Sequence, residues 1–356
     1  MQFGIALATD ADSWKVAARA EELGFSHAWF YDTQMLSADC FVAMGAAAVK
    51  TSRIRLGTGV LIPSNRIAAV TANAFASLNK LAPGRIDFGV GTGFTGRRAM
   101  GLGAIKLSEM AEYIRVVMAL MRGEMVETTI EGERRKIRFL NPELGLINTT
   151  DPVALHLSAY GPKAMALTAK LGAGWINFVG DEAGGAKAIA GMRGAWTGAG
   201  HDPSRLGAVA FALGCVLAPG EALDSARAMA QAGPRAAVLL HRAADEALSG
   251  LPNTSPIPPE VADEVAGYVA MARGFTPADA PWIENHRGHL MVVKEEERRF
   301  ITPELIRRTT FTGTREALVE RVGRLRDAGY TQFTVQLTPG QESAIEDWAG
   351  VMRAFR

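Results

Sequence analysis

The segment Ile54-Arg55-Leu56-Gly57-Thr58-Gly59-Val60-Leu61-Ile62-Pro63 decides the fold, together with the apolar-periodic stretch 68–81 and Arg85-Ile86-Asp87-Phe88-Gly89-Val90-Gly91-Thr92-Gly93-Phe94-Thr95-Gly96. It reads as strand, helix, strand. Both strands are short and apolar, as strands buried on both faces are. Both turn glycine-rich toward their C-terminal ends. Glycine weakens a strand unless something must approach the backbone closely or the strand must bulge. Two adjacent parallel strands that open at the same end imply a ligand lying across that end.

Outward from this segment the alternation recurs. Strands are expected at 3–8, 26–32, 55–62, 86–91, 153–159, 174–179, 207–217 and 332–337, with helices between them. Nowhere does the pattern split into two halves, as a doubly wound open sheet would. The expectation is therefore an α/β fold, a single (β/α)8 TIM barrel over residues 1–356. Such a barrel needs about 250 residues. The surplus falls in two excursions. One, 123–150, follows strand four and contains a charged hairpin at 128–139. The other, 245–303, follows strand seven and is rich in proline; a segment this long reads as a lid or a binding insertion.

Lys and Arg number 38 and Asp and Glu 37, a net charge of +1. No global field favours nucleic acid or an acidic membrane. Cys40 and Cys215 sit in apolar surroundings far apart in sequence and read as buried thiols in a reducing compartment. The chain starts directly on a strand and holds no long apolar run, so a cytoplasmic protein without a membrane partner is expected.

Gly91, Gly93 and Gly96 form a G-x-G-x-x-G pattern after a strand. A dinucleotide-binding unit would need a helix opening at once and an acid about 20 residues on. Here Gly101 and Gly103 delay the helix, and 108–121 is helical where the next strand should fall. On a barrel strand the same glycines admit a phosphate, with Arg97 and Arg98 either suited to an anion or an exposed loop pair. Ser158-Ala159-Tyr160-Gly161-Pro162 ends strand five and opens a helix, which suits a phosphate but is also a plain helix start. Asp32, ending strand two, and Asn177, in strand six, are polar groups expected near the upper face. In His286-Arg287-Gly288-His289, Gly288 speaks against a helical metal pair and no third ligand is near in sequence. No metal is expected; these histidines read as a loop pair facing the active-site mouth.

As a set, five stretches resemble the bacterial luciferase-like flavin-dependent oxidoreductases. They are Ala20–Phe25 through Trp29–Asp32, Ile54–Val60, Pro83–Gly91, Ala159–Pro162 and Phe311–Arg315. The resemblance spans nearly the whole chain except 245–299. That family includes monooxygenases using reduced FMN and reductases or dehydrogenases using the deazaflavin coenzyme F-420, among them methylenetetrahydromethanopterin reductase. The resemblance implies a flavin across the C-terminal face of the barrel. Thr58, Gly59 and Val60 would back its ring through a bulge or cis peptide at Gly59–Val60. Gly91, Thr92 and Gly93, with Ser158, Ala159, Tyr160 and Gly161, would hold its phosphate; Asn177 would add a polar contact. Asp32, His286 and His289 would serve catalysis, the histidines on a segment closing over the substrate. A valine at Gly59 would weaken cofactor binding without unfolding the barrel.

Two departures matter. Asp32-Thr33 stands where many deazaflavin users have Asp-His, and Thr92 stands where luciferases carry a basic phosphate ligand. Nothing in the side chains suggests hydrolysis or a covalent nucleophile, so the cofactor must carry the hard chemistry. The reading is a luciferase-like monooxygenase that oxygenates a small organic substrate with reduced FMN from a separate flavin reductase. The alternatives are hydride transfer with coenzyme F-420 and a non-catalytic flavin-binding protein. The resemblance also implies a homodimer or homotetramer.

Overall fold

The computed structural model describes residues 1–253 and 256–356. Eight parallel strands close into a barrel: β1 (Gln2–Leu7), β2 (His27–Phe30), β3 (Arg55–Thr58), β4 (Ile86–Val90), β5 (Ala154–Ser158), β6 (Gly174–Phe178), β7 (Ala208–Ala212) and β8 (Gln332–Leu337). Closure is direct: β1 pairs with β2 through Gly4 and His27 and with β8 through Gln2 and Gln332. The closed sheet excludes an open dinucleotide-binding sheet.

Side chains alternate along each strand between two environments. Ala28, Phe30, Leu56, Phe88, Leu157 and Trp175 point outward into the core shared with the helices. Ala6, Trp29, Tyr31, Ile176, Val209 and Phe211 fill the interior. Near the N-terminal end the interior turns polar. Arg55 grips Asp87 with two bonds, at 2.8 and 2.9 Å. His156 Nε2 lies 3.3 Å and His27 Nε2 3.8 Å from the same carboxylate. Burial opposes the charge on Asp87, but His156 and Arg55 outweigh it and hold the pKa down to about 2. Burial lowers His27 to about 4 against the pull of Asp87.

The glycines of β3 and β4 serve strand packing before any ligand. A Cβ on Gly89 would stand 2.0 Å from the Thr58 carbonyl oxygen, and one on Gly57 2.6 Å from the Trp29 ring. The strand expected at 207–217 breaks in two. A Cβ on Gly214 would fall 1.8 Å from the Phe311 carbonyl oxygen, because the returning chain crosses there. Val216–Leu217 then pairs with Gly313–Thr314 outside the barrel.

Both excursions fall where the sequence placed them. After β4, strands Val126–Ile130 and Glu133–Ile137 form an exposed antiparallel hairpin. After β7 the segment is more ordered than its prolines suggest. Ser225 caps a 24-residue helix, Ala226–Ser249, which runs into the excursion. Helices Ala262–Ala272, Trp282–His286 and Pro303–Thr309 pack around it. They share a second core, including Ala236, Leu240, Val265, Tyr268 and Leu305. Among the described residues no helix is long and apolar enough to cross a membrane.

Candidate active site

The C-terminal mouth of the barrel is built where β3 and β4 end. The Gly59–Val60 peptide is cis, as the resemblance implied. Val60 faces Gly91, where a Cβ would lie 2.8 Å from Val60 Cγ2 and 3.4 Å from Ser158 Cβ. Val60, Gly91 and Ser158 therefore form one wall. Tyr160 follows, its hydroxyl accepting the Phe178 N–H at 3.0 Å. Protein surrounds this hydroxyl, and burial raises its pKa. Yet 54% of Tyr160 is open to solvent, so the ring stands at the surface rather than in a core. Beside it, Gly161 has φ +78° and nothing within 4 Å of where a Cβ would be. Its backbone is open at the start of helix Pro162–Lys170.

The insertion supplies the roof. Tyr31 donates to Gln336 Oε1 at 2.8 Å, and the Gln336 amide donates to the Leu290 carbonyl. Leu290 is held at φ +62°, unusual for a branched residue, at the point where the insertion touches the barrel. Arg235, on the long helix, acts electrostatically on both Tyr160 and Tyr31. Its Nε is buried without a hydrogen-bond partner. The residue as a whole is half-buried, and a buried guanidinium nitrogen in that state favours an anion beside it. Arg242, two turns further on, adds positive charge near Tyr160. The mouth thus offers an apolar wall, an open backbone and cationic charge.

Other residues singled out from the sequence face elsewhere. Thr58 turns its hydroxyl to the Gly89 carbonyl at 2.7 Å. Asn177 donates to the Tyr330 hydroxyl at 2.8 Å, behind the strand. Ile176 faces inward, so strand alternation sends Asn177 outward. Asp32 is consumed by the turn after β3: it accepts from Ile62 N–H at 3.0 Å and Asn65 at 3.1 Å, and pairs with Arg66 at 2.8 Å. It shapes the rim and presents no free carboxylate. Arg97 is bound to the Gly103 carbonyl and Ser64, and Arg98 is buried against Asp245 at 2.8 Å. The glycine motif opens a short helix at once, Phe94–Arg98 after Gly93, rather than a delayed one. Thr92 accepts the Ile105 N–H through its carbonyl, and the Ala159 carbonyl accepts Trp175 Nε1 at 2.9 Å.

A model of the luciferase-like monooxygenase family matches residues 11–332. The chain belongs to this family. An F420-dependent glucose-6-phosphate dehydrogenase of Beutenbergia cavernae is 39% identical over 140 residues, 37% of this chain and 40% of that protein. A 5,10-methylenetetrahydromethanopterin reductase of Methanolobus tindarius is 31% identical over 179 residues, 49% of this chain and 53% of its own length. The chain thus spans about half, or less, of these curated relatives. The structure of the coenzyme F420-dependent tetrahydromethanopterin reductase from Methanopyrus kandleri superposes with a TM-score of 0.71 at 20% identity, covering 100% of this chain and 99% of that one. At that identity the likeness is one of fold.

In this luciferase-like chain, His286 and His289 are not at the open mouth. Both are buried within the insertion, where they meet His241 of the long helix. Nδ1 of His289 lies 2.7 Å from Nδ1 of His241 and 3.3 Å from Nδ1 of His286. His241 Nε2 is 2.9 Å from Glu297, and His286 Nε2 is 2.9 Å from Asp245. Burial lowers the pKa of His241 and of His289, favouring neutral rings. Spacing had left no third histidine because His241 is 45 residues before His286. Arg235 and Arg242 were also missed, although seven residues along one helix put them on one face.

Proposed function

We propose that the chain is a deazaflavin-dependent oxidoreductase, exchanging a hydride between coenzyme F-420 and a small organic substrate. The observation that carries the reading is Arg235, whose buried Nε has no hydrogen-bond partner and whose charge acts on Tyr31 and Tyr160, together with the open backbone at Gly161 next to Tyr160 in the chain. It offers a counter-charge to an anionic cofactor beside the apolar wall of Val60. The name of the F420-dependent glucose-6-phosphate dehydrogenase relative supports the same cofactor. When bound, the deazaflavin supplies a two-electron hydride carrier.

The chain's own residues do the rest. Val60 and Gly91 give a flat apolar backing. Gly161 lets a phosphate approach backbone N–H groups at a helix start. The Tyr160 hydroxyl accepts from Phe178 N–H and stays protonated, so its proton can be donated to a ligand oxygen. The Leu290 turn excludes water from above. Asp32 positions this rim through Ile62 and Arg66 instead of touching the substrate.

A second reading is oxygenation with reduced FMN from a separate reductase, favoured by Asp32-Thr33 in place of Asp-His. The non-catalytic flavin-binding reading is the least favoured, since all eight strands and the roof are present. A homodimer or homotetramer remains part of the proposal. Titration with FMN and with coenzyme F-420, followed by fluorescence, tests the cofactor. Tighter deazaflavin binding and turnover of reduced deazaflavin without oxygen are expected. Oxygen-dependent turnover with reduced FMN alone would replace the first reading with the second. Binding without any turnover would favour the third.

A further inference from the structure

We propose that His241, His286 and His289 form a metal site, binding one zinc-class divalent ion inside the insertion. The three ligand atoms lie within 4.8 Å of one another, and all three side chains are at least 97% buried. Two of the rings are already oriented as metal ligands are. A metal-bound histidine usually gives its other ring N–H to a carboxylate, which fixes the tautomer. Here His241 Nε2 faces Glu297 and His286 Nε2 faces Asp245, both at 2.9 Å. Those carboxylates are also paired with cations: Lys294 lies 3.3 Å from Glu297 and Arg98 2.8 Å from Asp245. As neutral rings, both histidines would donate through Nε2 and turn a bare Nδ1 lone pair toward His289.

With all three rings neutral, protons cannot satisfy this arrangement as well as an ion can. If His289 carries its proton on Nδ1, it donates fully to one neighbour and leaves the other lone pair short. Its own Nε2, buried and without a partner, is then a bare acceptor. If the proton is on Nε2, three lone pairs face each other and the N–H has no acceptor. An ion at the centre uses all three Nδ1 lone pairs and leaves only the His289 Nε2–H wanting. Buried polar groups are rarely left unpaired. Zinc–nitrogen bonds of about 2.0–2.1 Å in a tetrahedron set ligand nitrogens about 3.4 Å apart. The His286–His289 separation of 3.3 Å already matches, and the 2.7 Å pair needs to open slightly. Three neutral imidazoles suit zinc and its neighbours rather than calcium or magnesium.

The position implies a role. His241 belongs to the long helix, His286 ends helix Trp282–His286, and His289 precedes Leu290, whose carbonyl accepts from Gln336 of β8. An ion would tie the helix to the turn that roofs the mouth. This inference does not depend on which cofactor the mouth holds.

The full chain, stripped by a chelator and dialysed against zinc, should retain about one ion per chain by elemental analysis, and zinc should raise its Tm. Cobalt substitution should give the visible d–d absorption of a tetrahedral nitrogen site. In His289→Gln the ion, the Tm response and the cobalt band should all be lost, with far-ultraviolet circular dichroism confirming a folded chain. If that variant does not fold, His241→Gln gives the second reading of the same loss. His201→Gln, changing a histidine on the far side of the barrel, should keep all three. Wild-type protein that retains no zinc, or equal retention by the folded variants, would overturn the site.

Discussion

The barrel floor and the heart of the insertion each bury histidines with carboxylates, yet they are built to different ends. At the floor one carboxylate, Asp87, is shared by Arg55, His156 and His27. The donors converge on an anion and the cluster completes itself. His156 Nδ1 lacks a hydrogen-bond partner and rests against Gly174, where a Cβ would lie 2.3 Å away. In the insertion two carboxylates stand behind two of the histidines, and it is lone pairs that converge. A buried cluster whose charges close on themselves holds a fold together. One whose acceptors face each other is short of a cation.

The largest effect should separate the two clusters. Asp87→Ala leaves the buried end of Arg55 and two histidines without their anion, and should cost on the order of 3 kcal/mol. Urea denaturation reads this, and the loss should be the same with and without zinc. A zinc-dependent loss would mean that floor and insertion are coupled. Arg235→Gln is aimed at the mouth rather than at either cluster. Removing a charged partner should weaken anionic cofactor binding by about 1.5–3 kcal/mol, with little change in Tm; unchanged affinity in a fluorescence titration would remove Arg235 from the site.

Gly59→Val sharpens the contrast between packing and binding. A Cβ there would stand 2.9 Å from Trp29 Cβ and 3.2 Å from the Phe211 ring. The substitution should therefore destabilise the barrel by about 1–3 kcal/mol as well as weaken cofactor binding, a packing cost added to the expected loss of affinity. Unchanged thermal unfolding would show that the interior yields there. The smallest effect is the response to mild acid. His27 has its pKa lowered to about 4 by burial, so the folded state binds its proton less readily than the unfolded one. Its share of stability is complete above about pH 6.5 and is lost as the pH falls toward 4. Between about pH 7 and 6 the loss should be under about 1 kcal/mol. His27→Gln should flatten that slope; an unaltered slope would assign it elsewhere.

The barrel was legible in the sequence because buried parallel strands and covering helices write a repeating apolar pattern that needs no knowledge of partners. The places of the excursions were legible for the same reason: they interrupt that pattern; the cis peptide at Gly59–Val60 was implied by the family resemblance instead. The site was legible only in part. Val60, Gly91 and Ser158 come together, with Tyr160 and Gly161 next in the chain. Asn177 and Thr58 do not, because one residue of strand alternation turns a side chain from the interior to the helix layer. Asp32, Arg97 and Arg98 were readable as charges but not as charges already taken.

What the sequence by itself determined is the class of fold, the end of the barrel that opens and the family to which the resemblance pointed. These follow from local periodicity and from short motifs read in order. Only the tertiary structure decided which polar groups are satisfied and which are left facing one another. It brought His241 to His286 and His289, and Arg235 to Tyr31 and Tyr160, across separations that no spacing rule spans. The physical reason is that hydrogen-bond directions and burial are properties of position in space. A sequence names the donors and acceptors, but only the closed chain pairs them.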